Sequence, residues 1–162
     1  MLRVPSISLP LDQDIFERLS RAIEVLIEQD SYLFKADLHE RSITHKFAEH
    51  LQREFPEWSV DCEYNRDGHE PKRLLLPSIS PDPADDGCER SVFPDIIIHH
   101  RGQGVGRNLL VIEAKKSTSG SDDGWDELKL RKFKEQLGYR YALFVRFRTR
   151  EEEPGVEVLD CS

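Results

Sequence analysis

Apolar residues recur at helical spacing in three stretches of this chain and at strand spacing between them. Ile15, Phe16, Leu19, Ala22, Ile23, Leu26 and Ile27 predict an amphipathic helix over residues 12–30, capped by Asp12 or Asp14. Leu38, Ile43, Phe47, Ala48, Leu51 and Phe55 predict a second helix over 38–55, and Pro56 stops it because its ring cannot continue the turn. The period then drops to two: Trp58, Val60, Cys62 and Tyr64 alternate with polar residues and predict a strand that ends at the turn 65–68. Residues 72–76 predict a short extra strand. Residues 77–90, with three prolines and four acids, predict a loop. Helical spacing returns over 125–137, with Leu128, Leu130, Phe133 and Leu137 inward, lysines outward and Gly138 as C-cap. Residues 141–147 predict a strand and 156–159 a last edge strand, while residues 1–11, with Pro5 and Pro10, read as an irregular lead-in.

The stretch 91–116 carries the chemistry. Two apolar runs, 96–98 and 109–112, flank a segment with three glycines, which predicts an antiparallel hairpin. Folding it symmetrically about Gly104 sets Asp95 opposite Glu113. Alternation puts Leu109, Val111, Glu113 and Lys115 on one face. Cross-strand Cβ atoms lie about 4.5 to 5.5 Å apart, so the two carboxylates can share one divalent cation. Facing acids without such a cation repel and are costly to ionise. Mg²⁺ or Mn²⁺ removes that cost, and Lys115 adds positive charge beside it. Four apolar residues in a row before Glu113 also predict a strand buried on both faces, where an unpaired acid needs a reason.

Pro94-Asp95, followed after seventeen residues by Glu113-Ala114-Lys115, resembles the PD-(D/E)XK motif of restriction-endonuclease-like nucleases. The resemblance spans about residues 37–147. It implies that Asp95, Glu113 and the carbonyl of Ala114 hold the metal, and that Lys115 orients or activates the attacking water. Many members carry a Glu on the helix before the core sheet that joins the metal site, and Glu40 matches that position. The same residues, Asp37-Leu-His-Glu40, also read as a capping box, and both readings stand at this point. Gln136 matches a polar residue often found on the last core helix. The Gln-then-Tyr pattern of one subgroup is not kept, since position 140 is Arg. Members that cut both strands often act as homodimers.

Composition sets limits on this picture. At 162 residues the chain fits one domain, 1–162. No apolar run reaches membrane-span length, and the first residues do not form a signal peptide. Three cysteines without paired spacing fit neither a disulfide framework nor a zinc site, so a cytoplasmic location is expected. His45 and His50 are five apart, not four, and are expected to be solvated rather than a helical metal pair. The net charge of −8 opposes broad affinity for phosphate backbones. Positive charge is nonetheless concentrated after the hairpin, where Lys116, Lys129 and Lys132 are candidates for substrate contacts. Lys129 and Lys132 are spaced to share a helix face.

The expected architecture is α/β, a central mixed β-sheet flanked by helices with a restriction-endonuclease-like core. The expected activity is Mg²⁺- or Mn²⁺-dependent hydrolysis of phosphodiester bonds in nucleic acid, DNA first. The alternative is a non-catalytic binding or assembly module on the same fold, acting through a protein partner, which the negative charge favours.

Overall fold

A computed structural model describes residues 7–8, 11–67, 70–76, 87–102, 105–120 and 123–161. The chain begins with β1 (Ile7–Ser8) and two helices, α1 (Gln13–Lys35) and α2 (Glu40–Glu54). Then come β2 (Ser59–Cys62), β3 (Arg66–Asp67), β4 (Glu70–Pro71), β5 (Arg73–Leu76), β6 (Cys88–Ser91), β7 (Ile96–His99) and, after a 3-10 turn, β8 (Asn108–Lys116). The chain closes with α3 (Asp123–Leu137), β9 (Tyr141–Arg148) and β10 (Gly155–Asp160). The main sheet is mixed, in the order β1-β10-β9-β8-β7-β2. β8 and β9 run parallel, joined through α3 as a crossover, and β7 and β8 are antiparallel.

The sheet is covered on both faces. One side packs Ile96, Ile98, Leu110, Ile112, Leu143, Val145 and Phe147 against α1 and α2. The other side packs Ile97, Val111, Ala142 and Phe144 against α3 and the small β5–β6 sheet. Because both faces are buried, 96–98 and 109–112 are continuously apolar rather than alternating.

Several elements depart from the sequence expectation for local reasons. α1 does not end at Asp30, although that residue leaves helical geometry at φ −117° and ψ 21°. The helix resumes because Phe34 is buried edge-on against the Phe147 ring, 5.9 Å away. The Asp30 carboxylate lies 2.7 Å from Nε2 of His50, so His50 is a buried partner at this kink and not a solvated histidine. Leu38, expected inward, is 37% exposed, since α2 starts only at Glu40. β2 stops at Cys62 because Glu63 takes φ 50°, which throws Tyr64 to the opposite face from Trp58 and Val60. Part of the expected 77–90 loop is β6, and residues 77–86 lie outside the described residues. Ile7–Ser8 is a strand paired with β10, so β10 is not an edge.

Gln136 shows how the small sheet is attached. Its side chain donates to the carbonyl of Leu75 at 2.9 Å and accepts from the Leu75 N–H at 2.8 Å. An amide reproduces both halves of a backbone pairing, which tethers β5 to α3. Gln136→Ala is expected to cost about 1 kcal/mol, because water can reach the freed groups at this exposed edge. A shift in the urea midpoint measures it.

Candidate metal and active site

The hairpin register is the symmetric one at its functional end. Ile96 pairs with Ile112 and Ile97 with Val111, which brings Asp95 to the position across from Glu113. At the far end a bulge between Ile98 and His99 pairs His99 with Asn108. The extra residue puts Leu109 with Leu110 under the helix pair, so Leu109 does not share the face of Glu113 as alternation alone predicts. Val111, Glu113 and Lys115 remain on the α3 side.

Glu113 and Lys115 are both buried, at 5% and 8% exposure. Asp95 is fixed by its Oδ2, which accepts the Ala114 N–H at 2.8 Å. In an extended strand the N–H and C=O of one residue point to the same side, so the Ala114 carbonyl is also directed toward Asp95. Oε2 of Glu113 lies 3.4 Å from Nζ of Lys129, while its Oε1 is buried with no donor on it. The Glu113 and Asp95 carboxyls are close enough to share a hydrogen bond when Glu113 carries a proton. Burial pushes the Glu113 carboxyl well above its ordinary value, and the neighbouring Asp95 charge pushes it further, against the pull of Lys129. Burial raises Asp95 too, partly offset by the Ala114 N–H.

Two acids missing from the sequence reading complete the cluster. Asp126 Oδ2 is 2.7 Å from Lys115 Nζ, and its Oδ1 is 3.3 Å from Lys129 Nζ. Asp123 lies 3.4 Å from Lys115 and also pairs with Arg146, the residue beside Lys115 across the parallel β8–β9 ladder. Burial alone would lower the Lys115 ammonium, but Asp126 and then Asp123 raise it above its ordinary value, so it is firmly charged. The signal for these acids was present in Asp-Asp-Gly-Trp-Asp at 122–126, since acids gather in the first turn of a helix. Starting the predicted helix at 125 left Asp123 outside it.

Glu40 is the first residue of α2, and the N-cap is His39, whose Nδ1 accepts the Arg41 N–H at 3.3 Å. The capping-box reading is therefore wrong: Asp37 is bound instead by Lys116 at 3.1 Å and Arg150 at 2.7 Å. Glu40 Oε2 accepts the N–H of Lys116 at 3.0 Å, at the end of the strand that carries Glu113. Its charge is felt at Asp95. Lys116, expected to meet substrate, has its ammonium on Asp37.

Lys129 and Lys132 do not form one outward face. Lys129 turns in to Glu113 and Asp126, while Lys132 pairs at the surface with Glu135 at 2.9 Å. Gln136 lies two helical turns from Lys129, tied to Leu75, so its place as a site residue is corrected to a structural clamp. The cationic run after the hairpin is largely compensated: Arg131 pairs with Glu127, Arg140 with Asp12, Arg146 and Arg148 with Glu157, and Arg150 with Asp37.

Among the described residues, no group of three or more His, Cys, Asp or Glu is arranged to hold a metal ion. The donors on offer are the facing carboxylates of Asp95 and Glu113 with the carbonyl of Ala114. This all-oxygen set suits a hard cation, and the orphaned Oε1 of Glu113 is the kind of buried acceptor that such an ion would satisfy. Compared with known proteins, the chain matches no family model, no curated protein and no solved structure. No helix among the described residues is long and apolar enough to cross a membrane.

Proposed function

We propose that this chain is a metal-dependent nuclease of the restriction-endonuclease-like kind, hydrolysing phosphodiester bonds in DNA. The observation that carries the reading is the meeting of Asp95 and Glu113 across the hairpin, with one Glu113 oxygen buried and unpartnered. The succession α2, β2, β7, β8, α3, β9 within one mixed sheet agrees with the core of such nucleases. Asp95, Glu113 and the Ala114 carbonyl would hold Mg²⁺ or Mn²⁺. When bound, the metal polarises the phosphate and lowers the pKa of a coordinated water. Asp126 and Asp123 keep Lys115 charged and hold its ammonium at the start of α3. On this reading Lys115 orients the attacking water and offsets charge developing on the phosphate. Glu40 fixes the strand end through the Lys116 N–H, and its charge is felt at Asp95.

A Mn²⁺ titration by calorimetry, followed by cutting assays on duplex and single-stranded DNA and on RNA, tests the proposal. Binding with cutting is expected, and cutting should be lost in Lys115→Ala. Failure to cut every form of nucleic acid, or unchanged cutting in Lys115→Ala, defeats it.

The compensated cationic surface supports a second reading, a module that reaches DNA only through a protein partner. Ion binding that depends on Asp95 and Glu113, without cutting by the isolated chain, favours that version.

A further inference from the structure

Glu113 also lines a pocket of about 290 Å³ on the α3 side of the sheet. Its other walls include Phe93, Trp125, Arg90, Lys129 and Phe133. Phe93 is 60% exposed, a large ring left in water only two positions before Asp95. Trp125 is half-buried on the first turn of α3, one residue before Asp126, with the Arg90 guanidinium 5.9 Å from its ring centroid. The pocket thus offers two aromatic surfaces, two cations and direct continuity with the acid pair. Its volume sits at the low end for ligand pockets and is enough for one ring system.

We propose that this pocket receives one unpaired nucleobase of the substrate, stacked on Phe93 and Trp125, while the adjoining phosphate reaches Asp95 and Glu113. The inference rests on the nuclease reading and narrows its substrate to single-stranded or locally unpaired nucleic acid. Stacking needs an exposed π-face, which a base inside a duplex does not present. Arg90 and Lys129 line the same pocket, the first over the Trp125 ring and the second paired with Glu113 and Asp126.

Trp125 fluorescence tests it in a Trp58→Phe protein, where Trp125 is the remaining indole of the two. The probes are a short single-stranded DNA and a hairpin duplex of matched length, titrated with Ca²⁺ and again with chelator. Quenching by the single strand is expected, with at least roughly tenfold weaker binding of the duplex. Phe93→Ala should weaken single-strand binding by roughly tenfold while Phe93→Tyr preserves it, and the exposed position leaves folding intact. No quenching in either buffer, equal quenching by the duplex, or unchanged affinity in Phe93→Ala overturns the inference. Mn²⁺-dependent cutting of duplex without quenching sinks the base pocket alone. Quenching by a protein that cuts nothing sinks the nuclease reading alone.

Discussion

Asp95→Asn is expected to lower Mn²⁺-dependent cutting by about a thousandfold while leaving the fold intact. The asparagine Oδ1 can still accept the Ala114 N–H now held by Asp95 at 2.8 Å, so the strand junction keeps its hydrogen bond. What goes is one of two negative charges that make the oxygen cluster attractive to a divalent ion. A carboxylate ligand contributes several kcal/mol to holding and using such an ion, and each ~1.4 kcal/mol is a factor of ten in rate. Single-turnover rates at saturating Mn²⁺ separate loss of the chemical step from loss of ion affinity. A rate within tenfold of the original chain would show that Asp95 is a strand anchor and nothing more.

Glu113→Gln should have the opposite sign on stability. The carboxylate is almost wholly buried, faces Asp95, and has one oxygen without a partner, so its ionised form destabilises the fold. A carboxamide keeps the shape and can donate to Asp95. The gain is expected to be about 1 to 2 kcal/mol at pH 8 without metal, roughly 4 °C in melting temperature for a domain of this size. The gain should shrink toward pH 5. Glu113 has a folded-state pKa above that of the unfolded chain, so the folded protein holds the proton more tightly. Its favourable contribution is therefore full below the ordinary carboxylate range and is lost as pH rises through the raised value. Asp37 acts the other way, held low by its Thr149 and Lys116 hydrogen bonds, so only the difference between the two proteins isolates Glu113. Mn²⁺ should raise the melting temperature of the original chain and leave Glu113→Gln unmoved. A Glu113→Gln protein less stable than its parent at pH 8 would mean that the Lys129 contact outweighs the repulsion.

The hairpin register was legible because two apolar runs joined by one short glycine-containing segment fold symmetrically about its centre, Gly104, which pairs 96 with 112. The two-faced burial of those strands was legible in their unbroken apolar runs. The bulge at Ile98 was not, since it answers to packing of Leu109 against the helices and leaves no composition signal. The fate of Glu40 was equally hidden: a cap and a partner for Lys116 N–H, 76 positions away, need the same side chain, and only the tertiary contact decides. Lys129 was read as solvent-facing because helical periodicity rates lysine polar, whereas a buried acid opposite it reverses that preference. Asp123 escaped because α3 begins two residues before the predicted start of that helix. Asp126 escaped because only its tertiary contacts with Lys115 and Lys129 set it apart from the helix's other polar positions.

Among the described residues the sheet formed by β5 and β6 shares no hydrogen-bonded strand with the main one, and part of its anchorage is the pair of hydrogen bonds between Gln136 and Leu75. Arg90 rides on that appendage and Phe93 on the link from it to Asp95, whereas Asp95, Glu113 and Lys115 belong to the hairpin and its mouth. The proposed base pocket is thus shared between the appendage, which brings Arg90, and α3 and the hairpin, which bring Trp125, Lys129 and Glu113. On the proposed reading, substitution of Arg90 alone is the change to the appendage expected to alter what is gripped, since Leu74, Leu76 and Val92 of the same segment are buried in the core with Val111 and Phe133.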